Sequence, residues 1–220
     1  MIVLLNIAIQ CACFIAACRY LRHDHERHWA AMPWYLAVVV VTEALGGYFG
    51  SVLGIRNAPL YNVFMLIEGT FISYFIYRLC RHYGLRFVHW CLWLLLFIGA
   101  YITELSLTGS FSSYATSTIN LLSLSFLAGC VYYGAMMFRF GDVRISVYRH
   151  GPTVWMAAIA YFYSGTLTAG LLAGPLIELR IGVAGIPVYT VAHLLMNYFL
   201  YTLWIYTFMC RYRNRTSQQL

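Results

Sequence analysis

The sequence predicts an all-α, polytopic membrane protein with seven transmembrane helices, and three observations lead there. The 220 residues are 62% apolar and only 10% charged, with a mean hydropathy of +0.71, a balance foreign to ordinary soluble domains. Seven apolar runs recur at the length of about 20 residues that a helix needs to cross a ~30 Å hydrocarbon layer. There is no lysine, and twelve of the fourteen arginines fall into four groups: Arg19, Arg22 and Arg27; Arg78, Arg81 and Arg86; Arg139, Arg144 and Arg149; Arg211, Arg213 and Arg215. Each group follows every second apolar run. Because cytoplasmic loops retain positive charge, the spacing predicts an outer amino terminus and an inner carboxyl terminus.

In order, the expected segments are Ile2 to Cys18, Trp29 to Phe49, Tyr61 to Leu79, Phe87 to Leu107, Tyr114 to Phe138, Thr153 to Ala173, and Val188 to Cys210. They form one transmembrane domain over residues 1–220, leaving no room for a soluble one. The first segment is read as a membrane span and not a secretory leader, since basic residues follow it instead of preceding it. All six tryptophans fall toward the cytoplasmic ends and are expected to form an interfacial belt. The seven cysteines lie in helices or at their inner ends and are expected to be small core residues without an outer disulfide.

The chain also matches itself. Segments 1 to 3 (residues 1–80) resemble segments 5 to 7 (114–212), with segment 4 (87–107) as linker, a possible 3+1+3 parallel pseudo-repeat. Asn6 corresponds to Asn120 and Pro33 to Pro152. Gly46 and Gly50 correspond to Gly170 and Gly174, the spacing that lets helix backbones approach closely. Arg56 and Arg180, the two outer arginines, are each followed by Pro-x-Tyr.

Function is expected from the polar residues inside the spans. Glu43, Glu68 and His193 are the ionisable groups farthest from any segment end, at depths of ~12, ~10 and ~8 Å from the outer ends. An ionised group at a helix centre costs ~2.5–3.5 kcal/mol on insertion scales, whereas interhelical hydrogen bonds return ~0.6 kcal/mol on average. Such residues therefore point to a ligand or proton site. Tyr189, His193 and Asn197 form a polar stripe on segment 7, and Thr116, Asn120 and Ser123 form another on segment 5. Tyr61 shares a face with Glu68. The expected ligand-binding or proton-coupling set is Glu43, Tyr61, Glu68, Asn120, Tyr189, His193 and Asn197, with Asn6, Gln10, Ser164, Thr166 and Thr168 able to join and Arg56 and Arg180 at the mouth. Glu104 is expected to reach water. Glu43, Glu68 and His193 are the candidate metal ligands, without the short spacing of a motif such as H-E-x-x-H. The tract from His23 to His28 reads as a solvated loop, with His23, His25 and His28 the alternative metal ligands.

The absence of lysine excludes a retinal Schiff base, and no cofactor is expected. The arginines flank membrane segments instead of forming one patch, so the partner is the lipid bilayer, not nucleic acid. The expected function is transport of a small polar ligand through an outward-facing pocket. A receptor-like sensory subunit acting with a partner is the first alternative, and a membrane-embedded enzyme, with or without a metal, the second. Glycine faces on segments 2 and 6 are compatible with a homodimer.

Leu60-Tyr61-Asn62-Val63-Phe64-Met65-Leu66-Ile67-Glu68, the tract Trp155 to Gly165, and His193-Leu194-Leu195-Met196-Asn197 resemble uncharacterised seven-helix membrane proteins found in Bacteroidetes-type bacteria. That family carries an aromatic-x-x-x-Glu in helix 3 and a His-x-x-x-Asn in helix 7. The resemblance implies a multi-pass protein of the bacterial inner membrane and supplies no activity. The topology is also similar to that of the SWEET sugar transporters, whose Pro-Gln motifs this chain lacks.

Overall fold

The computed structural model describes residues 2–108, 113–140, 150–178, 182–183 and 186–217, with side chains for 4–107, 113–140, 150–171 and 190–217. The described chain is almost wholly helical: α1 (Ile2–Leu21), a one-turn α2 (Arg27–Ala30), α3 (Met32–Ser51), α4 (Ala58–Cys80), α5 (Phe87–Thr108), α6 (Thr116–Phe140), α7 (Gly151–Glu178) and α8 (Val188–Ser217). A two-residue antiparallel ladder, Gly182–Val183 with Ile186–Pro187, is the only extended structure described. Six of the seven long helices are long and apolar enough to cross a membrane. Proline in the first turn of α3 and of α4 presets the helical φ where the N–H has no helical partner anyway. After α4 a short 3-10 turn ends at Gly84, whose φ of 92° suits a residue without Cβ.

Two pairs of helices run parallel. Tyr198 Oη donates to Leu5 O at 3.1 Å near the start of α1, while Tyr212 packs on Tyr20 near its end. α8 therefore accompanies α1 along its length in the same direction. α4 and α6 keep register likewise, with Asn62 at Ala115, Gly69 at Leu122, Ile76 at Gly129 and Tyr83 at Tyr132. Buried positions on α3 (Tyr35, Leu36, Val39, Thr42, Gly46) follow the 3.6-residue period and define its inner face.

α5 sits at the periphery. It is fastened by Trp90 Nε1 donating to Ser73 Oγ at 3.1 Å and by Phe97 closing over Gly69. Its other faces expose Leu92, Leu95, Leu96 and Ile102. With Ile15, Val131 and Leu195 exposed on other helices, this much uncovered aliphatic surface is what lipid contact requires.

Glu104 does not simply reach water. It projects from α5 onto the first turn of α6, accepting from Ser117 N at 2.8 Å, Thr118 N at 2.7 Å and Thr118 Oγ1 at 2.6 Å. This is a helix cap supplied by a neighbouring helix, with a carboxylate at the positive end of the α6 dipole. Glu104→Ala is expected to destabilise the fold by about 1–2 kcal/mol, read as a lower unfolding midpoint in detergent; Glu104→Gln should lose less.

The tryptophans do not form a belt. Trp29 and Trp155 have no exposure and Trp204 has 2%, whereas Trp34 is 78% exposed. A shared depth says nothing about which face of the helix a residue occupies. Trp155 stacks on Phe75 with centroids 4.1 Å apart and on Trp204 at 6.0 Å, and Trp29 meets Phe75 edge-on at 4.7 Å.

Nor is the His23 to His28 tract a solvated loop throughout. His23 and His25 are exposed, but His28 is buried and the Asp24 side chain is only 2% exposed. Arg211 reaches Asp24 through Nε at 2.6 Å and Nη2 at 2.8 Å, and Glu26 at 2.9 Å. Its guanidinium lies 4.7 Å over the Trp29 ring. The connection after α1 is thereby latched to the end of α8.

Candidate functional site

Glu43 and Glu68 sit on the second and third long helices, α3 and α4. Glu43 lies eight residues before the end of α3 and Glu68 ten residues after the start of α4, ~12 and ~15 Å from the helix ends. Both are half-buried.

Each carboxylate is held by groups from neighbouring helices. Asn6 Nδ2 of α1 donates to Glu43 Oε2 at 3.3 Å, and the Tyr61 hydroxyl of α4 is within hydrogen-bonding reach of the same carboxylate. Tyr61 gets that close because α3 presents Gly46 there. A Cβ at that position would lie 2.7 Å from Tyr61 Oη. Glu68 faces two phenols, Tyr35 of α3 and Tyr163 of α7. Tyr201 of α8 lies close to this group and is hydrogen-bonded by the Gln10 amide of α1. The two carboxylates are near enough to interact electrostatically. Five helices thus contribute to one polar layer.

The expected members divide. Glu43, Tyr61 and Glu68 come together, joined by Asn6 and Gln10. Asn120 lies against the α7 backbone at Gly170, and its Oδ1 is buried with no hydrogen-bond partner among the described residues. Gly46 and Gly170 are therefore covered by side chains of this same chain. His193 does not join the glutamates. It is exposed, with Asn197 Nδ2 3.2 Å from its Nδ1 and Phe162 nearby. Arg56 is exposed in the connection between α3 and α4. Arg180 and the side chain of Tyr189 lie outside the described residues.

Among the described residues no three histidine, cysteine, aspartate or glutamate side chains converge as metal ligands. Apolar clefts of about 190 and 210 Å³ open between α4, α5 and α6 and between α6 and α7, and neither is lined by Glu43 or Glu68.

Tyr35, Tyr163 and Tyr201 were not foreseen as site residues. Two of them had a signal. Tyr35 is on the face of α3 that continues through Val39, Thr42 and Gly46, and Tyr201 extends the His193, Asn197 stripe by one more turn. No protein-family model matches the chain, and neither does any curated protein or solved structure.

Proposed function

We propose that this protein is a multi-pass transporter of a small polar solute in the bacterial inner membrane, with Glu43 and Glu68 as its binding and proton-exchanging groups. The observation that carries the reading is the pair of half-buried carboxylates, each held by phenol or amide donors from other helices, well inside helices able to cross a membrane. Groups of that kind are retained in a bilayer where they handle ions, protons or substrate.

Seven crossings follow if α8 spans together with the parallel α1, and the arginine groups put the Asp24 and Arg211 latch on the cytoplasmic side. The 3+1+3 repeat is supported by the pairing of helices. If α1, α3 and α4 correspond to α6, α7 and α8, then the parallel contact of α4 with α6 corresponds to that of α8 with α1, as a two-fold axis along the membrane normal requires. Solute would then be bound between the two halves, where Glu68 meets Tyr163.

Proteoliposomes test this. Solute-dependent flux accompanied by internal pH change is expected from the natural protein, with Glu68→Gln lowering the rate about tenfold or more at unchanged protein incorporation. Flux that survives Glu68→Gln and Glu43→Gln unchanged would remove the carboxylates from the mechanism.

A further inference from the structure

The layer around Glu43 and Glu68 holds two acidic groups and no base. Among the described residues neither carboxylate is paired with arginine or histidine, the ion pairs at Asp24 and Glu26 being remote from them in the connection after α1. Their surroundings are phenols from Tyr35, Tyr61 and Tyr163 and the Asn6 carboxamide, with a second carboxamide, Gln10, on the same face of α1 beside Tyr201.

The carboxamides indicate what the layer recognises. A carboxylate accepts hydrogen bonds and donates none, so Asn6 must turn its NH₂ to Glu43. The planar amide then leaves Asn6 Oδ1 beside that carboxylate, on a residue only 8% exposed, with no donor among the described residues. Gln10, one turn along α1 and 1% exposed, repeats the pattern: its amide bonds Tyr201 and its Oε1 has no donor among the described residues. Amide oxygens and carboxylates together form a set that accepts, in a region where the polar alternatives to a ligand are few. The two phenols facing Glu68 occupy part of its accepting capacity, which leaves fewer free oxygens than the roughly six to eight that a calcium ion takes and favours a less demanding monovalent ion.

We infer that this layer binds a small monovalent cation, an alkali ion or a protonated amine, through Glu43 and the Asn6 carbonyl oxygen, with Gln10 and Glu68 completing the acceptors. The inference rests on the reading of this layer as the solute site and gives that solute its charge. An anion is disfavoured because both carboxylates repel it, and exposed Arg56 is not part of the layer.

The test is thermal unfolding of the detergent-purified protein titrated with sodium, potassium or methylammonium chloride at constant ionic strength, with choline chloride as the balancing salt. Choline carries one charge but no N–H and is too bulky for the same acceptors. A saturable rise in Tm of about 5 °C is expected for at least one of the three small cations. A response to methylammonium alone assigns an amine, and a response to sodium or potassium an alkali ion. Sodium gluconate must reproduce any sodium response, or the anion is responsible. Glu43→Gln, nearly the same size and still able to bond Tyr61, should abolish the rise, and Asn6→Asp should shift the midpoint about tenfold toward lower concentration. If Glu43→Gln fails to fold, Glu43→Asp carries the test through a weakened titration.

No saturable rise with any of the three cations, or an undiminished rise in Glu43→Gln, overturns the inference. Failure here is separable from failure of the transport reading. Glutamate-dependent flux of a neutral or anionic solute keeps transport and sinks the cation; glutamate-dependent cation binding without flux does the reverse.

Discussion

Arg211→Ala is expected to lower stability by about 3 kcal/mol at neutral pH, which in a chain of this size moves Tm by roughly 6–12 °C. The guanidinium makes a two-point contact with Asp24, a second contact to Glu26 and a stack over Trp29. Its loss leaves a carboxylate that is 2% exposed with only Arg215 Nη1 at 3.6 Å and the Glu26 N–H at 2.9 Å. Arg211→Lys should recover little, because an ammonium reproduces neither the fork nor the flat stack. The pH dependence gives the contact a signature. Burial alone would raise the Asp24 pKa, but the Arg211 hydrogen bonds, the Glu26 N–H and the two arginine charges outweigh it and hold the carboxyl below its ordinary value. A depressed carboxyl adds stability that is fully present above the unfolded pKa of about 3.9 and is lost as pH falls through the folded value. The gap between natural protein and variant should thus be widest at neutral pH and close on acidification through the carboxylate range and below. A gap that stays constant to pH 3 would mean that packing on Trp29, not the ion pair, carries the effect. Asp24→Asn combined with Arg211→Ala should cost less than the sum of the two single changes.

That latch also marks where sequence reading stopped. The seven long helices were legible because apolar length and arginine spacing are one-dimensional properties, and their ends agree with the expected segments to within a few residues except at α7 and α8, which continue to Glu178 and Ser217. Pairing across the bundle was not. Asp24 and His28 sit in a tract whose composition is that of a wet loop, and only distant helices turn them inward, Arg211 of α8 for Asp24 and Phe75 of α4 for His28. The stripe on α8 was legible in its period but not its phase: a step of four residues overshoots a full turn by about 40°, so the buried set among the described residues is Asn197, Leu200, Tyr201, Trp204, Thr207, Phe208 and Cys210, with His193 outside it. The glutamates were legible because charge in an apolar run stands out. Of their phenols Tyr61 was, through its seven-residue spacing from Glu68; Tyr35 and Tyr163 were not, since tyrosine is abundant here, at 19 residues, and suits interfaces, cores and sites alike.

Truncating Phe75 should be the most damaging single change in the apolar core. Its ring has no exposure and joins three elements of structure: it stacks on Trp155 of α7 at 4.1 Å and meets Trp29 and His28 of α2 edge-on at 4.7 and 4.9 Å. In a bilayer, moving a phenyl group from lipid to protein releases little hydrophobic free energy, so its value lies in packing and in the cavity its loss would leave. Phe75→Ala is accordingly expected at the lower end of the usual range for a buried aromatic, about 3 kcal/mol, and Phe75→Leu at less than half of that. Phe87→Ala, which removes a ring 54% exposed at the start of α5, is the control and should change little. The consequences should also reach the carboxylate layer. Phe75 contacts Phe71 at 6.1 Å, Phe71 stacks face to face on Tyr35 at 4.3 Å, and Tyr35 faces Glu68. One column of rings therefore runs from Arg211 above Trp29 to the acidic centre. If that column positions Tyr35, then Phe71→Ala should weaken cation binding while leaving Asp24 and Arg211 engaged, whereas unchanged binding in a folded Phe71→Ala protein would confine the column to a packing role.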